Sequence, residues 1–300
     1  MNIFVTGGTG FMGKPTVKLI ASRGHKVLVL SRLLPKKDGS RELLKIKNVR
    51  FIKSDLANLN SVKEKIRKFR PDAVMHLAWE GIPNFSSAMS MKNLKNGLDL
   101  IRFVVSIPCK RVVCVGSDKE YGIPVGKVDE STGLHPMSAF SAAKTALHWI
   151  GREIAKENGV QFVWTRIFFV YGPEQRPASL IPYLMRCIET GESPKIRNID
   201  GANDFVYVDD VARALVMLAE KRSVKNDLYN IASGRLTSVR DIVNIVYGKK
   251  TSGRRPKENN GSYADISRIK KDIGWSPKTN IKSGIRKIAT YNKRNHIWSP

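Results

Sequence analysis

Apolar, β-branched runs at Asn2–Thr6, Lys26–Leu30, Val49–Lys53, Ala73–Ala78, Arg111–Gly116 and Gln161–Val170 predict strands, and segments with apolar residues at helical spacing lie between most of them. Runs such as Val112-Val-Cys-Val115 and Ala73-Val-Met-His-Leu77 are apolar at nearly every position, the pattern of strands covered on both faces. Strands alternating with helices predict an α/β fold, a doubly wound parallel sheet with helices on each side. Beyond about Gly172 the rhythm breaks at Pro173, Pro177, Pro182, Gly191, Pro194 and Gly201, and the core sheet is expected to end there. A helix at about Asp209–Glu220, a strand at Leu228–Ile231, a helix near Val239–Tyr247 and a polar stretch at Lys249–Ser262 follow. The expected organisation is a sheet domain over 1–172, with a segment at about 203–226 returning to it, and a smaller C-terminal cap over most of 173–300.

Composition adds exclusions. The 300 residues are 42% hydrophobic and 8% aromatic, which suits a globular chain and not a disordered or fibrous one. No stretch reaches the ~20 apolar residues of a membrane span, and Met1 leads straight into Asn2-Ile-Phe-Val-Thr6 with no signal-peptide pattern, so a soluble cytoplasmic protein is expected. Cys109, Cys114 and Cys187 form neither a paired motif nor a cluster with histidine at metal-ligand spacing, and no metal site is expected. The net charge of +26 suits polyanions or phosphorylated small molecules. Its residues are spread along the chain with no interleaved aromatic stripe, so nucleic acid is not the expected partner. Trp149, Trp164 and Trp275 lie in apolar-periodic segments and are expected in the core.

The chemistry begins at Gly7-Gly-Thr-Gly10-Phe-Met-Gly13, between a predicted strand and a helix whose Pro15 suits a first turn. Glycines there let backbone amides approach a pyrophosphate at a helix N-terminus, where unpaired N–H groups and the helix dipole favour negative charge. This is the dinucleotide fingerprint of a Rossmann sheet, and it assigns Gly7, Thr9, Gly10, Phe11, Met12 and Gly13 to the cofactor. An acid about 20 residues further on would hold a ribose hydroxyl, yet the second strand ends Leu30-Ser31-Arg32, followed by Lys36 and Lys37. A serine and a guanidinium suit a 2′-phosphate, which favours NADP over NAD. Asp55, before Leu56 at the end of the third strand, is open to two readings: acceptor for an adenine amine, or helix N-cap.

Ser117 after the fifth strand and Lys144 in Pro136-Met-Ser-Ala-Phe140-Ser-Ala-Ala-Lys144 complete a pattern. With the glycine loop, His76-Leu-Ala78, Gly116-Ser-Asp-Lys-Glu-Tyr-Gly122, Val170-Tyr-Gly-Pro173, Asp204-Phe-Val-Tyr-Val-Asp-Asp210, Tyr229-Asn-Ile-Ala-Ser-Gly234 and Gly274-Trp-Ser-Pro277, the chain resembles, over its whole length, the extended short-chain dehydrogenase/reductase superfamily, specifically its nucleotide-sugar epimerases, dehydratases and reductases. The resemblance implies that Leu77 and Ala78 adjoin the cofactor, that Lys144 holds the nicotinamide ribose, and that Ser117 hydrogen-bonds the substrate oxygen. It also implies a homodimer, through a four-helix bundle of the helices near Asn93–Val105 and Ser141–Asn158.

In that family a Tyr four residues before the Lys is the acid/base, and residues i and i+4 share a helix face. Here that position is Phe140, which has no proton to give. Three explanations stay open: an engineered Tyr→Phe exchange, a natural enzyme using another group, or a protein that binds without turnover. If another group serves, Asp118 and Lys119 are the candidates, since Ser117-Asp118-Lys119 is similar to the Thr-Asp-Lys run of some nucleotide-sugar 4,6-dehydratases. Two further departures lie on the substrate side: Phe169 where the family often has Asn, and Asn203 where it often has Arg. Arg176 and Arg255 remain to grip a diphosphate. The leading expectation is an NADP-dependent reductase or epimerase acting at a ring carbon of a nucleotide-diphosphate sugar of the 4-keto-6-deoxy type. Rivals are a silent NADP or nucleotide-sugar binder, a dehydratase using Asp118 and Lys119, and an RNA-binding descendant of the fold.

Overall fold

The computed structural model describes residues 1–34, 41–251 and 256–295. Strand and helix alternate from the start: β1 (Asn2–Thr6), α1 (Gly13–Ser22), β2 (Lys26–Ser31), α2 (Arg41–Leu44), β3 (Val49–Lys53), α3 (Lys63–Phe69), β4 (Ala73–His76), α4 (Ser87–Val105) and β5 (Arg111–Val115). After β6 (Gly126–Val128), α5 (Ala139–Glu157) and β7 (Gln161–Ile167) restore the rhythm. The chain then runs through β8 (Phe169–Tyr171), α6 (Leu180–Thr190), β9 (Ala202–Tyr207), α7 (Val208–Glu220), β10 (Leu228–Ile231), β11 (Leu236–Ser238), α8 (Val239–Val246), β12 (Gly261–Ala264), α9 (Ser267–Ile273) and α10 (Ile281–Arg294).

Seven of the strands form one parallel sheet in the order β10-β7-β5-β4-β1-β2-β3. The strand period of two explains the continuous apolar runs, because alternate residues enter different cores. Ile3 and Val5 of β1 join Val17 and Ile20 of α1 and Val211 and Leu215 of α7, while Phe4 joins Leu100 and Ile101 of α4 and Leu147 of α5. Burying a side chain of this size stabilises by roughly 1.5–3 kcal/mol, so the two faces anchor the sheet from both sides.

The main sheet does not end near Gly172. Its edge strand is β10, with Leu228 opposite Trp164 and Ile231 opposite Ile167, and all four β10 residues are buried. The strand lies where it is expected, at Leu228–Ile231, but it joins the main sheet and not the cap. Tyr229 spends its hydroxyl on Asp272 (2.8 Å) and Asn230 accepts from Tyr121 (2.8 Å), so both are buried without being apolar. The single strand expected over Gln161–Val170 is instead two, because Phe168 donates its N–H to Ile231 O (3.1 Å) and β8 pairs in parallel with β9. A second sheet, β11-β9-β12-β6, with α6, α8 and α10, surrounds a separate core that includes Tyr171, Leu184, Tyr207, Ile242 and Ile285.

Trp164 and Trp275 are fully buried, but Trp149 is 48% exposed. The buried stripe of α5 runs through Phe140, Ala143, Lys144, Leu147, Gly151 and Ala155, and position 149 falls outside it, with Arg152 packed over the indole at 5.2 Å. Among the described residues no helix is long and apolar enough to cross a membrane.

Candidate active site

The glycine-rich turn follows β1, where the strand order switches from β2 on one side to β4 on the other. Gly7 has φ +73°, and a Cβ on it would stand 2.6 Å from Ala78 N; one on Gly13 would stand 2.0 Å from Gly7 O. The turn therefore packs backbone against backbone, which only glycine permits. α1 starts without a side-chain cap, so its dipole favours an anion there; within its first turn Lys14 N donates to Gly10 O (2.9 Å) and Pro15 carries no N–H. Gly13→Ala is expected to shift this turn and weaken dinucleotide binding about 10- to 100-fold, the equivalent of roughly 1–3 kcal/mol of overpacking, which cofactor titration by tryptophan fluorescence measures.

A cleft of about 560 Å³ opens beside the turn. Gly7, Thr9 and Gly10 line it from the turn after β1, Ser31 and Arg32 from the end of β2, Asp55 and Leu56 from the turn after β3, and Leu77 and Ala78 from the turn after β4. Asp55 is a helix N-cap, its Oδ1 accepting from Ala57 N (2.8 Å), and the residue also lines the cleft. Met12 and Gly13 form the start of α1, and the ring of Phe11 lies near Gly172. His76 is buried behind the cleft residue Thr6, bonded through Nδ1 to its Oγ1 (2.8 Å), and burial pushes its pKa down to about 3. The cleft, its glycine turn and the uncapped helix end fit a dinucleotide.

Beyond β5, Ser117 caps a short 3-10 helix at Asp118–Tyr121. Its Oγ accepts from Lys119 N (3.2 Å), and its N–H donates to Glu120 Oε1 (2.8 Å). Glu120 is fully buried and pairs with Arg166 Nε (3.0 Å) and Trp164 Nε1 (3.1 Å), so a charged network beneath the site fixes Ser117. Ser117 Oγ also donates to Asp118 Oδ1 (3.1 Å). Burial pushes the Asp118 carboxyl above the usual carboxylate range, against the pull of Lys119 and the Ser117 hydroxyl. Lys119 Nζ lies 3.5 Å from Asp118 Oδ2 and 4.5 Å from the centre of the Phe169 ring, which brings the substrate-side aromatic to this group.

On α5, Ser138 and Ser141 cap each other reciprocally, and Phe140 occupies the first turn. Its ring meets Trp79 edge-on (5.4 Å, 87°) and Phe85 at 4.8 Å. One turn later Lys144 is buried, donates to Val115 O (2.6 Å) and stands 4.0 Å from the centre of the Trp79 ring. Burial lowers its pKa to about 8, with Glu120 opposing. Trp79 also lines the cleft, so it joins the cofactor side to Phe140 and Lys144.

Other expected residues are not gathered here. Arg176 is exposed on the turn before α6, and Asn203 sits on β9 opposite Thr237 and Ser262; among the described residues neither hydrogen-bonds to the Ser117–Lys119 group. Arg255, Lys36 and Lys37 lie outside the described residues. Sequence reasoning missed Trp79, Glu80, Phe85 and the structural role of Glu120. Trp79 and Glu80 directly follow His76-Leu-Ala78, and Glu120 lies inside Gly116–Gly122, so the signal was adjacency to motifs already singled out.

Glycine turn, cleft and the Ser117–Lys144 constellation on a doubly wound parallel sheet define a dinucleotide-dependent α/β enzyme. More particularly, the chain belongs to the NAD dependent epimerase/dehydratase family, whose model matches residues 3–232. Its relatives are nucleotide-sugar epimerases, dehydratases and reductases. A trifunctional UDP-glucose 4,6-dehydratase/UDP-4-keto-6-deoxy-D-glucose 3,5-epimerase/UDP-4-keto-L-rhamnose-reductase of Arabidopsis thaliana is 28% identical over 99% of this chain, which spans 48% of that protein. The UDP-glucuronate 4-epimerase of Thermodesulfobacterium geofontis is 25% identical over 97% of this chain and 96% of its own length. Among solved structures, the UDP-glucose 4-epimerase of Thermotoga maritima with UDP-glucose superposes with a TM-score of 0.83 at 25% identity, covering 99% of this chain and all of that one.

Proposed function

We propose that the chain is an NADP-dependent enzyme that reduces or epimerises a ring carbon of a nucleotide-diphosphate 4-keto-6-deoxy sugar, with its proton supplied through Asp118 and Ser117 in place of the absent tyrosine. The observation that carries this reading is the hydrogen bond between Ser117 Oγ and the half-buried Asp118 carboxyl, whose pKa desolvation raises, just after β5. The nicotinamide supplies or accepts the hydride. The chain's part is the proton at oxygen. With Asp118 protonated, its O–H donates to Ser117 Oγ and the serine O–H turns to the substrate carbonyl, so a proton passed to that oxygen is replaced from the carboxyl. Gly7–Gly13 would hold the pyrophosphate, Asp55 and Leu56 the adenine side, and Ser31 and Arg32 a 2′-phosphate. Lys144, a cation below about pH 8, would hold the ribose near the nicotinamide.

On the substrate side, Phe169 beside Lys119 replaces a polar orienter with an aromatic face, and Arg176, Arg255 and Asn203 are the residues we assign to the diphosphate and sugar. The 4,6-dehydratase reading is favoured by one observation, the Asp118–Lys119 pair beside Ser117, which suits protonation of a leaving hydroxyl. We assign the homodimer contact to α4 and α5, which pack together and expose Met91, Trp149 and Ile150.

The test is NADPH consumption with a panel of 4-keto nucleotide sugars, on this chain and on Phe140→Tyr. The expected result is turnover by this chain, with Phe140→Tyr changing kcat by less than about tenfold. Turnover by Phe140→Tyr alone would show that position 140 must carry the acid. Cofactor binding with no turnover in either would leave a silent binder, and conversion of an unmodified nucleotide hexose to a 4-keto-6-deoxy product would establish the dehydratase.

A further inference from the structure

The end of β2 lacks the carboxylate that commonly meets an adenosine ribose, but the fold brings one to the same place from 48 residues away. Glu80, on the turn leaving β4, lines the cleft together with Arg32. Its Oε1 accepts from Arg32 Nη1 (2.6 Å), and its Oε2 pairs with Lys92 Nζ on α4 (2.8 Å). The carboxylate is held in place from its backbone: Glu80 N donates to Asn93 Oδ1 (2.7 Å), and the buried Asn93 donates back to Glu80 O (3.0 Å) and to Met89 O (2.8 Å). The Lys92 hydrogen bond and the Arg32 charge hold the Glu80 carboxyl below its usual range, so it is an anion at neutral pH. Arg32 therefore meets the cleft as part of a group of two cations and one anion, and not as a free guanidinium.

We propose that Glu80 is the residue that sets the margin between NADP and NAD: it stands in for the acid missing from the end of β2, offsets the Arg32 charge that a 2′-phosphate needs, and keeps acceptor lone pairs for a ribose hydroxyl. A carboxylate has about four acceptor positions, and two cations do not exhaust them. The proposal rests on the reading that Ser31 and Arg32 take the 2′ position. It makes the enzyme tolerant of both cofactors, with the preference for NADP held to a modest margin. It also gives Glu80 and Lys92, which flank the same charge, opposite effects on that margin.

The experiment is isothermal titration of NADP⁺ and of NAD⁺ into this chain and into Glu80→Gln, Lys92→Met and Arg32→Ala. Glutamine at 80 keeps the backbone bonds to Asn93 while removing the charge. The expected result is a ratio of dissociation constants shifted about tenfold toward NADP in Glu80→Gln, the size of one charge-assisted hydrogen bond, and a smaller shift toward NAD in Lys92→Met. A ratio that stays within about twofold in Glu80→Gln, or moves toward NAD, while Arg32→Ala loses NADP affinity would overturn the proposal alone. NADP affinity unchanged in Arg32→Ala would overturn the 2′-phosphate reading and the proposal with it. Retained NAD⁺ binding in each variant shows that the fold is intact, and the binding readout is independent of turnover.

Discussion

Asp118→Asn is expected to lower kcat by about 10²–10⁴, the usual contribution of a positioned acid, while leaving the cofactor dissociation constant unchanged. The amide preserves the size of the side chain and an acceptor for Ser117, but it holds no transferable proton. Asp118 lies outside the cofactor cleft, so binding and chemistry separate in this variant. The pH profile gives a second reading. Burial raises the Asp118 pKa, so the carboxyl keeps its proton to higher pH than an exposed aspartate does. Carbonyl reduction that draws on that proton falls as pH rises through the Asp118 pKa, and this limb is absent in Asp118→Asn. Steady-state kinetics across pH, with cofactor affinity measured alongside, checks both points. An unchanged kcat and an unchanged limb would remove Asp118 from the proton path.

Glu120→Ala is expected to destabilise the fold by about 3–5 kcal/mol, because it leaves Arg166 buried without its counter-charge. Arg166 is 2% exposed, and among the described residues its guanidinium pairs with no other carboxylate; the Tyr121 ring lies 4.5 Å from it. The variant also removes the acceptor for Trp164 Nε1 and for Ser117 N, so the turn carrying Ser117 and Asp118 loses its anchor. Replacing both partners, Glu120→Leu with Arg166→Met, is expected to recover most of the lost stability without recovering activity, since an apolar pair can fill a buried site yet cannot hold the Ser117 amide. Urea denaturation followed by circular dichroism measures the first effect and NADPH consumption the second. Equal stability of Glu120→Ala and the parent chain would show that the network adds nothing to the fold.

Much of the fold was legible because the signals are local. Strand positions β1 and β3 follow from short runs rich in β-branched and aromatic residues, Asn2–Thr6 and Val49–Lys53, and α5 follows from its stripe at helical spacing. The glycine turn was legible because each glycine answers a steric demand between near neighbours, as the 2.0 Å approach to Gly7 O from a Cβ on Gly13 makes plain. The edge strand β10 was placed in the wrong layer, and Trp149 on the wrong side of its helix, for one reason. Whether a half-polar strand or an aromatic residue is buried depends on what other elements bring against it.

By itself the sequence determined the doubly wound sheet, the dinucleotide turn, the positions of Ser117 and Lys144, and the absence of a tyrosine at 140. Backbone propensity, apolar periodicity and motif spacing act over a few residues and need no knowledge of the rest of the chain. Tertiary structure alone decided the electrical environment of those residues. It set Glu80 against Arg32, Glu120 against Arg166, Trp79 between Phe140 and Lys144, and the half-buried Asp118 beside Ser117. Charge interactions and desolvation depend on distance and burial, and in a parallel sheet the groups that share a site come from strand ends separated by dozens of residues.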